Sequence, residues 1–153
     1  MANFRLRDDA EKWFSNVDKG PKFDLYYYCA IIGLVNNKRS EPSGVNVTDM
    51  VSYFINDYKA SQNLIIGLLI IAELKRAGIN ITEKAAVRKE IQSLVSPQGG
   101  NGLTDRGVQL LNYYASGGFE LIRDSRSTKP ESRDEFMLNF IDLVDQAAKE
   151  LSF

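Results

Sequence analysis

A chain of 153 residues, 44% hydrophobic and 25% charged, has room for one globular core; its net charge of −1 supplies no global field that would draw it onto nucleic acid or lipid. It has no histidine and a single cysteine, which excludes His-dependent triads, His metal sites, an internal disulfide and a thiolate zinc cluster. Its longest run without a polar side chain, Leu64 to Ala72, falls short of the roughly 20 residues a bilayer span needs, and Met-Ala-Asn-Phe-Arg-Leu-Arg-Asp-Asp at the start lacks a signal-peptide core, so a cytoplasmic protein without a membrane partner is expected.

Taken in order, the segments read as helices. Asp8 or Asp9 opens a first helix through Val17, with Trp13, Phe14 and Val17 on one side, ended by Gly20-Pro21. A second, rich in aromatics, covers about Phe23 to Val35, and the Asn-, Pro- and Gly-containing stretch from Asn36 to Val47 reads as a loop. Thr48-Asp49 is expected to cap a short helix through Tyr53, Phe54 and Ile55. From about Ser61 to Ala77 runs a helix apolar on every face, which requires protein on every side and so marks the centre of the core. Gly78 stops it. Thr82 is the expected cap of the next helix, to about Leu94, which cannot continue past Pro97. Pro97 to Gly102 reads as the most flexible segment. Thr104 caps a helix to about Tyr114 that Gly117-Gly118 should break or kink before Phe119. A polar, partly basic loop from Arg123 to Pro130 leads to Ser132-Arg133-Asp134-Glu135, the capping-box pattern, and Phe136, Phe140, Leu143, Val144 and Ala147 follow at helical spacing. The expectation is therefore an all-α fold, one compact helical domain over residues 1–153 with six to seven helices around a buried central helix. The segments most open to an extended alternative are 45–47 and 79–81.

Within it, Leu74 to Leu94 resembles a helix-turn-helix, in which a glycine permits the turn and the second helix enters the major groove. Val87, Ile91 and Leu94 form the inward face of that second helix, while Lys84, Arg88 and Gln92, each four residues apart, share a neighbouring stripe. Lysine and arginine meet phosphates, and arginine and glutamine also read guanine or adenine edges. From Lys75 to Lys89 five bases (Lys75, Arg76, Lys84, Arg88, Lys89) stand against one acid, Glu83. Arg123, Arg126 and Lys129 form a second basic run, and the C-terminal segment is acidic through Asp134, Glu135, Asp142, Asp145 and Glu150. The alternative is an ordinary solvated helix face.

Three other patterns bear on chemistry. Asp57 with Glu73-Leu74-Lys75 imitates the acid and E-x-K spacing of nucleases that hold Mg²⁺ on two carboxylates, although such sites aim these groups from a β-hairpin. If the chain is an enzyme, it is a metal-dependent DNA nickase or nuclease with Asp57, Glu73 and Lys75 as catalytic candidates; otherwise no cofactor is evident. Gln98-Gly99-Gly100-Asn101-Gly102 lacks the Gly-Lys-Ser/Thr ending of a phosphate-binding loop. Cys29, amid Tyr26-Tyr27-Tyr28 and Ala30-Ile31-Ile32, reads as a buried small hydrophobe, and most of the tyrosines as core-edge residues.

Phe23 to Leu34, Leu64 to Gly78, and Gly102 to Phe119 with its Leu103-Thr104-Asp105-Arg106-Gly107 opening resemble small helical accessory proteins of bacterial phage-defence operons, particularly those of DNA phosphorothioation systems. That resemblance implies action on or beside DNA: binding, nicking, or bridging to other proteins of a DNA modification or restriction operon. It carries no catalytic signature. The competing expectation is a helical interaction or oligomerisation module that does not contact DNA.

Overall fold

Helical periodicity over most of the chain is realised as helix. The computed structural model describes residues 2–17, 22–42, 46–51, 53–54, 56–98 and 100–150. Among them lie β1 (Arg5–Arg7), α1 (Asp8–Trp13), α2 (Lys22–Val35), β2 (Val47–Asp49), a 3-10 turn (Asn56–Ser61), α3 (Gln62–Arg76), α4 (Lys84–Leu94), α5 (Asp105–Asp124) and α6 (Arg133–Glu150). None of the described helices is long and apolar enough to cross a membrane. Contacts gather the chain into two units: Met1–Phe4 with Val51–Leu111, and Arg5–Met50 with Asn112–Phe153. The long helix α5 gives residues 105–111 to the first and 112–124 to the second.

In the first unit α3 is the central helix, packed against α4 and the 3-10 turn. Ile65, Leu69, Ala72 and Leu74 are buried, as are Phe4 and Phe54, whose rings are tilted at 58° with centroids 5.1 Å apart. Coverage is one-sided, however. Leu64 and Ile71, two turns apart on one stripe, are 56% and 53% exposed. Gly78, at φ +70°, ends α3: its N–H donates to the Lys75 carbonyl and that of Ile79 to the Leu74 carbonyl, a Schellman closure. Thr82 does not cap α4 as expected. Asn80 Oδ1 accepts from both the backbone N–H and the hydroxyl of Thr82, an Asx turn that delays the helix until Lys84.

The segment following α4 is held, contrary to the flexibility read from its glycines. Ser96 N–H donates to the Gly102 carbonyl and Thr104 N–H to that of Leu94. Asn101 is fully buried; its Oδ1 accepts the Leu103 N–H at 2.9 Å and its carbonyl accepts from the Gln62 amide. The expectation at Gly99 lies outside the described residues. Thr104 does cap α5, accepting from Gly107 N–H at 3.0 Å.

In the second unit Thr48-Asp49, expected to cap a short helix, instead join Val47 in β2, which pairs antiparallel with Arg5–Arg7. The β-branched Val47 and Thr48 suit an extended backbone, and Asp49 meets Arg5 at 2.7 Å rather than capping anything. Ile55 and the Gly20-Pro21 stop fall outside the described residues. The first helix ends at Trp13 and gives way to turns, short of Val17. Gly117-Gly118 does not interrupt α5, which runs unbroken to Asp124. These glycines are close-approach points: a Cβ on Gly118 would lie 1.7 Å from the Cys29 carbonyl oxygen, and one on Gly33 of α2 would lie 2.0 Å from that of Tyr114. The missing side chains let the backbones of α2 and α5 meet.

Around this crossing Arg7 is nine-tenths buried. It grips Asp9 through two bonds of 2.9 and 2.7 Å, donates to Ser116 Oγ, lies 3.5 Å from Glu120 and covers the Phe119 ring. Tyr28 packs edge-on against Phe136 and Phe140, joining α2 to α6. Ser132 caps α6 as the sequence indicates, accepting from Glu135 N–H. Cys29 and Tyr26 are wholly buried. Burial, above all, raises the proton affinity of the Cys29 thiol despite nearby Arg7, and it raises that of the Tyr26 phenol, with Cys29 adding to the effect; the phenol donates to Asn112 Oδ1 at 2.7 Å.

Candidate nucleic-acid interface

The amphipathic sequence of α4 settles which of its faces looks outward. Leu94 is fully buried, and Val87, Glu90, Ile91 and Ser93 are half-buried on the same flank. Three bonds lock that flank to the start of α5: Thr104 donates to the Ser93 carbonyl at 2.6 Å, and Arg106 to Ser93 Oγ at 2.6 Å and to Glu90 at 3.4 Å. Gly107 lets the two elements close, since a Cβ there would lie 2.3 Å from the Leu94 carbonyl oxygen.

What remains outward is Lys84, Ala85, Arg88, Lys89 and Gln92, all exposed. Lys84, Arg88 and Gln92 rise in steps of about 6 Å along one stripe. Among the described residues none of the side chains of Lys84, Arg88, Lys89 and Gln92 takes a hydrogen-bond or ion-pair partner. Lys75 and Arg76 are exposed in the last turn of α3, in the same unit, with Arg76 4.0 Å from Glu73. Along the outer face of α4, Lys84, Arg88 and Lys89 therefore present three exposed cations, with the polar Gln92 at the end of the stripe.

The second basic run is placed differently. Arg123 bonds Asp124 at 3.0 Å and lies over Phe119; Arg126 pairs with Glu135; and Lys129 donates to Ser15 Oγ at 3.1 Å. Each of the three is engaged within its own unit.

Glu73 and Lys75 are not brought together. On a strand, residues two apart share a face, but on a helix they diverge by about 200°. Glu73 accordingly points inward, 4% exposed, while Lys75 points to solvent. The Asp57 side chain lies outside what the structure describes. Among the described residues no three His, Cys, Asp or Glu side chains are grouped so as to hold a metal ion.

The sequence reading missed the residues that mount α4. Asn80, two before Thr82, carries the Asx-turn signal and was legible in principle. The Arg106 contacts to Ser93 and Glu90 bridge separate helices, and no local pattern announces them. Compared with protein-family models, with curated proteins and with solved structures, the chain finds no match.

Proposed function

We propose that this chain binds duplex DNA through the outer face of α4, with Lys84, Arg88 and Lys89 on phosphates, Gln92 at a base edge, and Lys75 and Arg76 extending the contact. It would serve as a DNA-binding accessory protein of a bacterial modification or phage-defence system, the role implied by the resemblance of its α2, α3 and α5 segments. The observation that carries the DNA reading is the unpartnered state of the α4 cations on a helix whose other flank is fixed. Side chains free of internal partners lose no protein contact when they meet phosphate. Nicking is not part of the proposal, because α3 sends Glu73 and Lys75 in different directions.

A salt series of binding to a labelled duplex tests it. Five cations predict a slope of log affinity on log salt of about −4 to −5. Lys84→Glu with Arg88→Glu should flatten that slope by about 2 while the melting temperature holds. Affinity that ignores salt, or that survives the double variant intact, overturns it. Topology of a supercoiled plasmid in the same buffer with Mg²⁺ reports any strand cleavage.

A second reading, a protein-interaction module, is favoured by one specific observation: Leu64 and Ile71 on α3, and Leu138 and Ile141 on α6, are half or more exposed.

A further inference from the structure

Those four aliphatic side chains fall into two stripes of the same design. On α3 the exposed stripe runs Leu64, Leu68, Ile71, Lys75, with Leu68 half-buried. On α6 it runs Asp134, Leu138, Ile141, Asp145, all exposed. Both advance by four, three and four residues, the spacing that keeps a seam of side chains facing a partner helix. Beside Leu64 and Ile71 the surface is open at Gly67, where a Cβ would meet nothing within 4 Å, so a partner can approach closely.

Charge selects the pairing. Two α6 stripes laid together would set aspartate against aspartate in either direction. Two α3 stripes would set Lys75 against Lys75 or against Leu64. An α3 stripe on an α6 stripe sets Leu68 and Ile71 against Leu138 and Ile141 and brings one carboxylate to Lys75, Asp134 if the helices are antiparallel and Asp145 if parallel. The other aspartate falls at the end of the seam beside Leu64, and of the three pairings this one alone gains an opposite-charge contact. Among the described residues Asp134 and Asp145 have no other partner.

We propose that α3 of one copy of this chain docks on α6 of a second copy. The proposal deepens the interaction reading and does not require α4 to bind DNA, although Lys75 belongs to both proposed surfaces. Because the two surfaces differ, the contact either repeats in a closed assembly or continues from copy to copy.

Sedimentation velocity without DNA tests it, with wild type, Ile71→Asp, Leu138→Asp and an equimolar mixture of the two variants. Wild type should associate with rising concentration, and each variant alone at least about tenfold more weakly. The mixture should recover a one-to-one pair, since Ile71→Asp retains an intact α6 and Leu138→Asp an intact α3. Leu64→Asp or Ile141→Asp replaces either variant if its circular dichroism shows lost helix. Wild type that stays monomeric, variants that associate like wild type, or a mixture no better than its components would each overturn the proposal. Once complementation is seen, Lys75→Asp rescued by Asp134→Lys indicates antiparallel helices, and rescue by Asp145→Lys parallel ones.

Discussion

The two basic runs, residues 75–89 and 123–129, look alike in the sequence, and the fold treats them differently. In the second, Arg123 is laid on Phe119 and Asp124, Arg126 on Glu135, and Lys129 on Ser15. In the first, the cations of α4 project from a helix whose opposite flank is bolted to α5 by Arg106 and Thr104. A positive charge already engaged by a neighbour must give up that contact before it can serve phosphate, whereas a free one need not. Density of charge along a chain therefore says less about binding than how each charge is spent: of these two runs, the α4 cations are the ones without a side-chain partner among the described residues.

The comparison is broken most violently at the scaffold that holds the second unit together. Gly118→Ala places a methyl 1.7 Å from the Cys29 carbonyl oxygen, and no flexible side chain stands there to yield. A loss of about 3 kcal/mol or more is expected in denaturant unfolding. Arg7→Met strands Asp9 and Glu120 beside an apolar ring and should cost about 3 kcal/mol by the same measurement. On the first unit, Lys84→Glu with Arg88→Glu should lower DNA affinity by at least about tenfold with little change in stability, whereas Arg123→Ala with Lys129→Ala changes affinity less than about threefold. Equal losses from the two pairs would erase the distinction between the two basic runs.

Alkaline pH probes burial within the second unit. Cys29 and Tyr26 hold their protons more tightly folded than unfolded. The stability this provides is complete below their ordinary values of about 8.5 and 10, and it is lost as pH climbs toward the raised folded values, by up to about 1.4 kcal/mol per unit for each group. Urea midpoints should fall above about pH 9, and Cys29→Ala should move the onset toward the tyrosine range. The smallest effect is expected at Arg126→Ala, below about 1 kcal/mol, because that pair with Glu135 is about one-third exposed.

Much of the fold was legible because long helices advertise themselves. The apolar runs of α2 and α3, the Gly78 stop, the Thr104 cap and the Ser132-to-Glu135 cap all speak through neighbours a few residues apart. The β1–β2 pair did not, since three-residue strands joined across some 40 positions leave no periodicity to detect. Gly117 and Gly118 were misleading for a related reason: locally a glycine weakens a helix, and only the partner backbone at Cys29 reveals why two are tolerated. The outward stripe of α4 followed correctly from spacing. That Arg126 faces Glu135, or that Lys129 reaches Ser15, depends on chain folding back from elsewhere, which local sequence does not encode.

Asn101 precedes Gly102, the dipeptide in which the following backbone nitrogen most readily attacks the side-chain amide, expelling ammonia to form a succinimide that water opens to aspartate or isoaspartate. Folded, the chain restrains that closure: Asn101 is fully buried, and its side chain is held in place by the bond from Leu103 N–H to Oδ1. Ageing at this position therefore counts openings of the loop rather than elapsed time. It is also one-way, because the ammonia is lost, and the carboxylate left behind would have to re-enter a fully buried site as a charge for the loop to close again. A mass-resolved peptide spanning residues 95–104 would read that history directly, so a stored preparation carries its own tally of how often the turn after α4 has come undone.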